Sequence, residues 1–251
     1  MYTILLFVLI STLICSSCSK KENKPDQVVN KIIDFSNYQW SVRNNESREP
    51  PNGNLFSQKN VNLDSRNRLH LLLTKDQGKW KSAQVYNTQS LGYGKYTFHI
   101  EAPLDKLDAN VVMAFFVYEK NKENNELTEI DIEFAKWGNE ERFNNSQYVI
   151  QRVKFGSEKF VSDYKTSLID NKSTHIMEWK RHYVRFTSLQ GNTEDRSKTS
   201  SIIKDVTFKG EDIPVPHREV ASFSLWTYKR KGPLNQKPVE IIVDNFKFIP
   251  L

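Results

Sequence analysis

From residue 32 onward the chain alternates between short runs rich in β-branched and aromatic residues and polar loops. Residues 61–73 end in the apolar run Leu69-His-Leu-Leu-Leu73, and residues 93–102 alternate in part behind a pair of glycines. Residues 111–118 (VVMAFFVY) are unbroken apolar and aromatic, and comparable runs follow at 147–153, 174–188, 220–228 and 239–249. No segment keeps apolar residues at i, i+3, i+4 and i+7 over three turns, the spacing that a helix with one buried face requires. Many short strands with turn signals between them predict an all-β sandwich or barrel. The stretches 43–54, 119–126 and 190–200 are polar and predict loops.

The N-terminus departs from this pattern. Residues 4–14 (ILLFVLISTLI) form an uncharged apolar run, followed by Cys15-Ser-Ser-Cys18 and then Lys20 and Lys21. Eleven residues are too few to cross a bilayer core, which takes about 20 in a helix, but they suit the apolar centre of a secretory leader. The arrangement resembles a bacterial lipoprotein signal, in which the cysteine after the cleavage point is acylated. Cys18, preceded by two serines, fits that position better than Cys15, preceded by Ile14. The expected organisation is a leader over 1–18, a charged tether over 19–30 and one domain over 31–251. The implied location is outside the cytoplasm, either in the cell envelope, with membrane contact through a lipid anchor alone, or secreted.

Composition agrees with a single domain. The chain has 251 residues, 38% hydrophobic and 12% aromatic, enough for one full-sized core without a disulfide; both cysteines lie in the leader. A net charge of +6 with both signs scattered, and no basic stripe interleaved with aromatics, points away from nucleic acid as a partner. With no internal repeat and no second domain, a monomer is expected.

The chemistry concentrates in Glu129-Ile130-Asp131-Ile132-Glu133-Phe134. Successive side chains on a strand point to opposite faces, so Ile130, Ile132 and Phe134 turn to the core and all three acids turn outward together. Three acids spaced two apart arise by chance roughly 0.4 times in a chain of this composition; apolar residues between them lower this to roughly 0.06. A solvated negative strand edge or a carboxylate calcium site competes with a catalytic reading. Mechanism favours catalysis. Retaining glycoside hydrolysis needs two carboxyl groups about 5–5.5 Å apart, whereas Cα atoms four residues apart on a strand are about 13 Å apart. Two long glutamates leaning together can close that gap, with the short aspartate between them raising the proton affinity of its neighbour.

This run resembles the signature of glycoside hydrolase family 16, Glu-x-Asp-x-Glu on a concave jelly-roll strand. Leu91-Gly-Tyr-Gly-Lys-Tyr96 resembles the family's entry to a core strand. Ala114–Tyr118 and Glu129–Phe134 are most similar to the lichenase branch. His175–Trp179, Ser224–Trp226 and Val243–Phe246 resemble the later core strands. The resemblance implies a jelly-roll sandwich of two antiparallel sheets and hydrolysis of a β-linked glucan. It assigns Glu129 as nucleophile, Asp131 as its assistant and Glu133 as acid/base. The unbulged signature goes with lichenases and xyloglucan-active members, which implies a β-1,4 or mixed-linkage glucan.

Several positions depart from the lichenase pattern. Leu127 replaces a stacking aromatic, and Gln84 and Tyr86 stand where a glutamate and an arginine are usual, which implies a cleft without an arginine. Trp226 and Trp137 are candidates for stacking on sugar rings, with core packing as the alternative. Gln147 and Gln151 share a strand face and can hydrogen-bond sugar hydroxyls, unless that face is a solvated edge. Phe116 either lines the cleft or packs in the core. The histidines show no metal-ligand spacing, Asp244 alone matches a calcium ligand of some members, and no cofactor is expected. A glycan-binding lipoprotein without hydrolysis, on the same scaffold, is the competing reading.

Overall fold

The computed structural model describes residues 31–45, 47–120, 126–151 and 159–251. The expected leader, Cys18 and the tether lie outside these residues. Among the described residues the strands are β1 (Ile32–Phe35), β2 (Tyr38–Val42), β3 (Leu55–Phe56), β4 (Val61–Leu63), β5 (Leu69–Asp76), β6 (Lys79–Asn87), β7 (Gly94–Glu101) and β8 (Val111–Lys120). They continue with β9 (Leu127–Ala135), β10 (Ser146–Ile150), β11 (Phe160–Tyr164), β12 (Lys172–Lys180), β13 (Tyr183–Gln190), β14 (Ile202–Lys209), β15 (Val220–Thr227) and β16 (Val239–Pro250). Helix is confined to one-turn 3-10 segments among these residues.

The strands form a jelly-roll sandwich. One sheet runs β11-β10-β9-β8-β15-β6-β2-β1, and the other runs β4-β5-β16-β7-β12-β13-β14. Pairing is antiparallel throughout, except that the short β3 runs parallel to β6. β6 belongs to both layers: Lys79–Lys81 pair with β5, while the residues from Ala83 onward pair with β15 and β2.

The inward rings of the two sheets interdigitate. Trp40, Phe115 and Phe223 of the first sheet meet Tyr96, Phe98 and Phe246 of the second, all of them buried. Ring centroids lie 4.7 Å apart for Phe98–Phe115, 4.9 Å for Phe115–Phe223 and 5.2 Å for Trp40–Phe246. Burying each such side chain contributes about 1.5–3 kcal/mol by area alone. The first hairpin and the last strand also meet through hydrogen bonds. The Ser36 hydroxyl donates to Asn245 Oδ1 at 3.1 Å and accepts from the Phe246 N–H at 3.0 Å.

Gly94 explains the glycine-tyrosine motif. A Cβ there would sit 2.1 Å from the Phe248 ring and 2.8 Å from the Ile249 carbonyl oxygen, so only glycine lets β7 and β16 approach. Two residues on, the Tyr96 hydroxyl donates to the Gly92 carbonyl at 2.6 Å, fixing the entry to β7.

Two differences from the sequence pattern have local causes. The run 174–188 is a hairpin, β12 and β13, turning at Arg181-His182, a pair without the glycine, asparagine or proline that marks turns. β14 has no strand pattern in the sequence because as an edge strand it is half-buried on both faces, so its polarity does not alternate.

Candidate active site

Three rows of side chains cross the outer face of the first sheet, because directly paired antiparallel residues point the same way. The first row runs Gln147, Glu133, Ala114, Ser224 and Gln84. The second runs Val149, Asp131, Phe116, Ser222, Tyr86 and Ser41. The third holds Gln151, whose N–H bonds the Glu129 carbonyl, then Glu129, Tyr118 and Val220. Ile130, Ile132 and Phe134 fill the core beneath. The β8–β9 register is uninterrupted from Val112–Ala135 to Lys120–Leu127, so the strand carrying the acids has no bulge against β8.

The acids open into a cavity of about 350 Å³, lined also by Trp137, Gln147, Val149, Gln151 and Lys159. Burial raises the proton affinity of all three carboxyls. Glu129 is pushed up to about 7 by burial and then by the charge of Glu133. Asp131 is raised well above the usual range by burial and by both glutamates. Glu133 is raised by burial but restrained by a hydrogen bond from Gln147 Nε2 to its Oε2 at 2.6 Å. Turning the Gln147 amide over would let a protonated Glu133 donate to the amide oxygen instead, so this partner serves either protonation state.

The aromatic residues gather beside this row. Trp137 borders the cavity, with its ring centroid 6.2 Å from Trp226 and 5.6 Å from Tyr228. A left-handed backbone at Trp137 (φ 53°) and Gly138 (φ 78°) turns the loop after β9 back toward the sheet. Trp226 is on the outer face but only 6% exposed, in a small cluster with Phe56, Val112 and Ala135. It therefore supports Trp137 more than it presents a surface of its own. Phe116 lies on the outer face directly across from Asp131 and is half-buried. Leu127 is buried at the far end of the acid row, paired with Lys120.

An arginine stands beside Gln84 on this sheet, outside the cavity that the acids line. Arg43, just past β2, donates from Nη1 to Gln84 Oε1 at 2.8 Å and pairs with Glu49 at 2.5 Å. Its guanidinium lies over the Phe56 ring, 4.2 Å from the centroid. Gln84 is three strands from Glu133 in the same row, about 14 Å at ~4.8 Å per strand, and Arg43 follows β2, the strand beyond β6. Sequence spacing could not reveal this, since the arginine comes from a strand far earlier in the chain. Lys159 was missed for a related reason: its place beside Gln151 follows from the β10–β11 register, Ile150 pairing with Phe160. Among the described residues no cluster of His, Cys, Asp and Glu is arranged to hold a metal ion.

A family model, glycosyl hydrolases family 16, matches residues 51–227, a span that includes all three acids. No curated protein matches the chain. A Bacillus licheniformis β-glucanase structure superposes with a TM-score of 0.63 at 17% identity, covering 87% of this chain and 97% of that one. The family 16 protein of a Bacteroides ovatus mixed-linkage glucan PUL, in complex with a G4G4G3G product, gives 0.65 at 15% identity, covering 87% and 99%. An immunostimulatory antigen and pseudo β-1,3-glucanase of Mycobacterium tuberculosis gives 0.62 at 17%, covering 84% and 91%. At these identities the likeness is one of fold.

Proposed function

The chain belongs to glycosyl hydrolases family 16, and from that premise we propose that it is a retaining endo-β-glucanase working on Glu129 and Glu133. Glu129 attacks the anomeric carbon while Glu133 gives its proton to the departing glycosidic oxygen, leaving a covalent glycosyl ester on Glu129. Water then attacks the same carbon, Glu133 takes the water's proton, and the ester bond breaks to regenerate the Glu129 carboxylate. Asp131 lies between the glutamates, and burial and the charge of both neighbours raise its proton affinity well above the usual carboxyl range.

The observation that carries this reading is the row of three carboxyls, Asp131 buried and both glutamates half-buried, on one unbulged stretch of strand opening into a single cavity beside Trp137. An inverting enzyme must hold a water between its carboxyls, at about 6.5–9.5 Å; two long side chains converging from one strand favour the shorter retaining distance. The first glycosylation step also explains how one group serves as acid and then base. Esterified Glu129 is neutral, so Glu133 loses a repelling neighbour and its proton affinity falls. The substrate we favour is a β-1,4 or mixed-linkage glucan, consistent with the unbulged signature and with relatives of known fold that are β-glucanases. The domain acts as a monomer in the cell envelope, behind a leader ending at Cys18.

Proton NMR of a fresh β-glucan digest tests this directly. The β-anomer should appear first, with the α-anomer growing in by mutarotation; an α-first product refutes the chemistry. A second reading, glycan binding without hydrolysis, draws on Leu127 in place of a stacking aromatic and on the pseudo-glucanase among the fold relatives. Measurable binding to a β-glucan with no product from any would favour it.

A further inference from the structure

Lys159 borders the same cavity as Glu129, Asp131 and Glu133, and among the described residues it is the only cation that does so. Its position follows from the sheet. Ile150 pairs with Phe160, so one step further Lys159 stands across from Gln151, and Gln151 in turn is bonded to Glu129. Lys159 is therefore two strands from the nucleophile in the third row, on the side of the acids opposite the Arg43–Gln84 end. We propose that Lys159 is the positioning cation of the site: from across Gln151 it favours the ionised form of Glu129 that attack on the anomeric carbon needs.

This rests on the hydrolase reading above and deepens it. Three carboxyls in one row, Asp131 buried and both glutamates half-buried, raise the proton affinity of the group, and a protonated Glu129 is no nucleophile. The charged and titratable groups around Glu129 come from every neighbouring element. Asp131 and Glu133 lie on its own strand, Tyr118 directly across on β8, Lys120 and Glu126 at the ends of β8 and β9, and Lys159, Asp163 and Arg142 toward β11. Arg142 is engaged by Asp163 at 2.7 Å and acts on Glu133 alone of the three, whereas Lys159 favours the ionised form of all three. The lysine is thus the cation whose loss bears on Glu129 most directly.

The test compares Lys159→Met, which keeps an apolar stem without the charge, with Lys159→Arg, which keeps the charge. In kcat/KM against pH, the acid limb of Lys159→Met should move upward by ~0.5–1 pH unit, the effect of one charge across a water-lined cavity. Lys159→Arg should return the limb to its original place. A purely structural role would lower activity evenly across pH without moving the limb. Carbon-13 NMR titration of the Glu129 carboxyl, without substrate, gives a second reading that needs no turnover. If the wild type cleaves no β-glucan, the hydrolase reading fails, yet the titration still decides the role of Lys159. An unmoved Glu129 titration in Lys159→Met, or failure of Lys159→Arg to restore it, overturns the proposal.

Discussion

Burying Glu129 beside two other acids should make the protein less stable once that group is forced to ionise, and Glu129→Gln isolates the effect. The folded state raises the group from 4.5 to about 7, while in the unfolded chain it returns to an ordinary carboxyl. A raised folded value means the folded protein binds the extra proton between those limits. Its stabilising contribution is full below the unfolded value and is lost as pH rises through about 7. At ~1.4 kcal/mol per tenfold change in proton affinity, the total for Glu129 is ~3 kcal/mol, a large part of a stability of about 5–15 kcal/mol. The wild-type curve alone does not isolate this contribution. His175, enclosed between Ser173 and Ser188, is pushed down to about 3 by burial, so below its ordinary range it acts in the opposite sense. The difference between Glu129→Gln and wild type cancels the histidine. Urea unfolding should therefore show the variant gaining on wild type by ~2.5 kcal/mol between about pH 5 and about pH 8.5. A difference that stays flat across that range, or a variant that loses ground as pH rises, would refute the argument that the row is strained by burial.

The two glutamates should also differ in how their alanine variants are rescued. Glu129→Ala should recover turnover with azide and yield the α-glycosyl azide, while Glu133→Ala should still cleave substrates with good leaving groups; exchanged phenotypes would reverse the roles. Gly94→Ala should destabilise the fold by well over ~1 kcal/mol, since its new methyl would meet the Phe248 ring at 2.1 Å; thermal unfolding measures this, and a neutral result would show that β7 and β16 can part. Cys18→Ala, expressed in a bacterium that processes lipoproteins, should move the protein from the membrane fraction to the soluble one. A wild type that is already fully soluble would sink the lipid anchor.

The sequence makes some of this architecture legible and hides the rest, for physical reasons. The acid row could be read from three residues because a strand's two-residue period fixes the face of each side chain without outside help. The apolar runs that became β8 and β15 were equally plain, since both are buried almost throughout. β6 was not, because it leaves one sheet and enters the other, and its polar and apolar positions answer to two different surroundings. Arg43 and Lys159 escaped for another reason: each reaches the acid-bearing face through a pairing register between strands, which no local pattern encodes. The function of a residue such as Gln147 is likewise relational. Its side chain has the chemistry to hold sugar or to steer an acid, and the 2.6 Å contact that joins it to Glu133 is visible only in the fold.

The contact between the first hairpin and the last strand has a practical consequence for where this protein can be cut. Residues 51–227 carry the recognisable family sequence, yet Trp40 lies before that span and Phe246 after it, 5.2 Å apart inside the molecule. The Ser36 hydroxyl bonds across the same junction to Asn245 and Phe246. A fragment trimmed to the recognisable span would lose both halves of this clasp, and with it two rings from the centre of the core and the Arg43 end of the cleft. The outline of the family in the sequence and the outline of the cooperative folding body are therefore different lines. The β1–β2 hairpin and β16, which family likeness leaves out, close the structure like the two sides of a buckle.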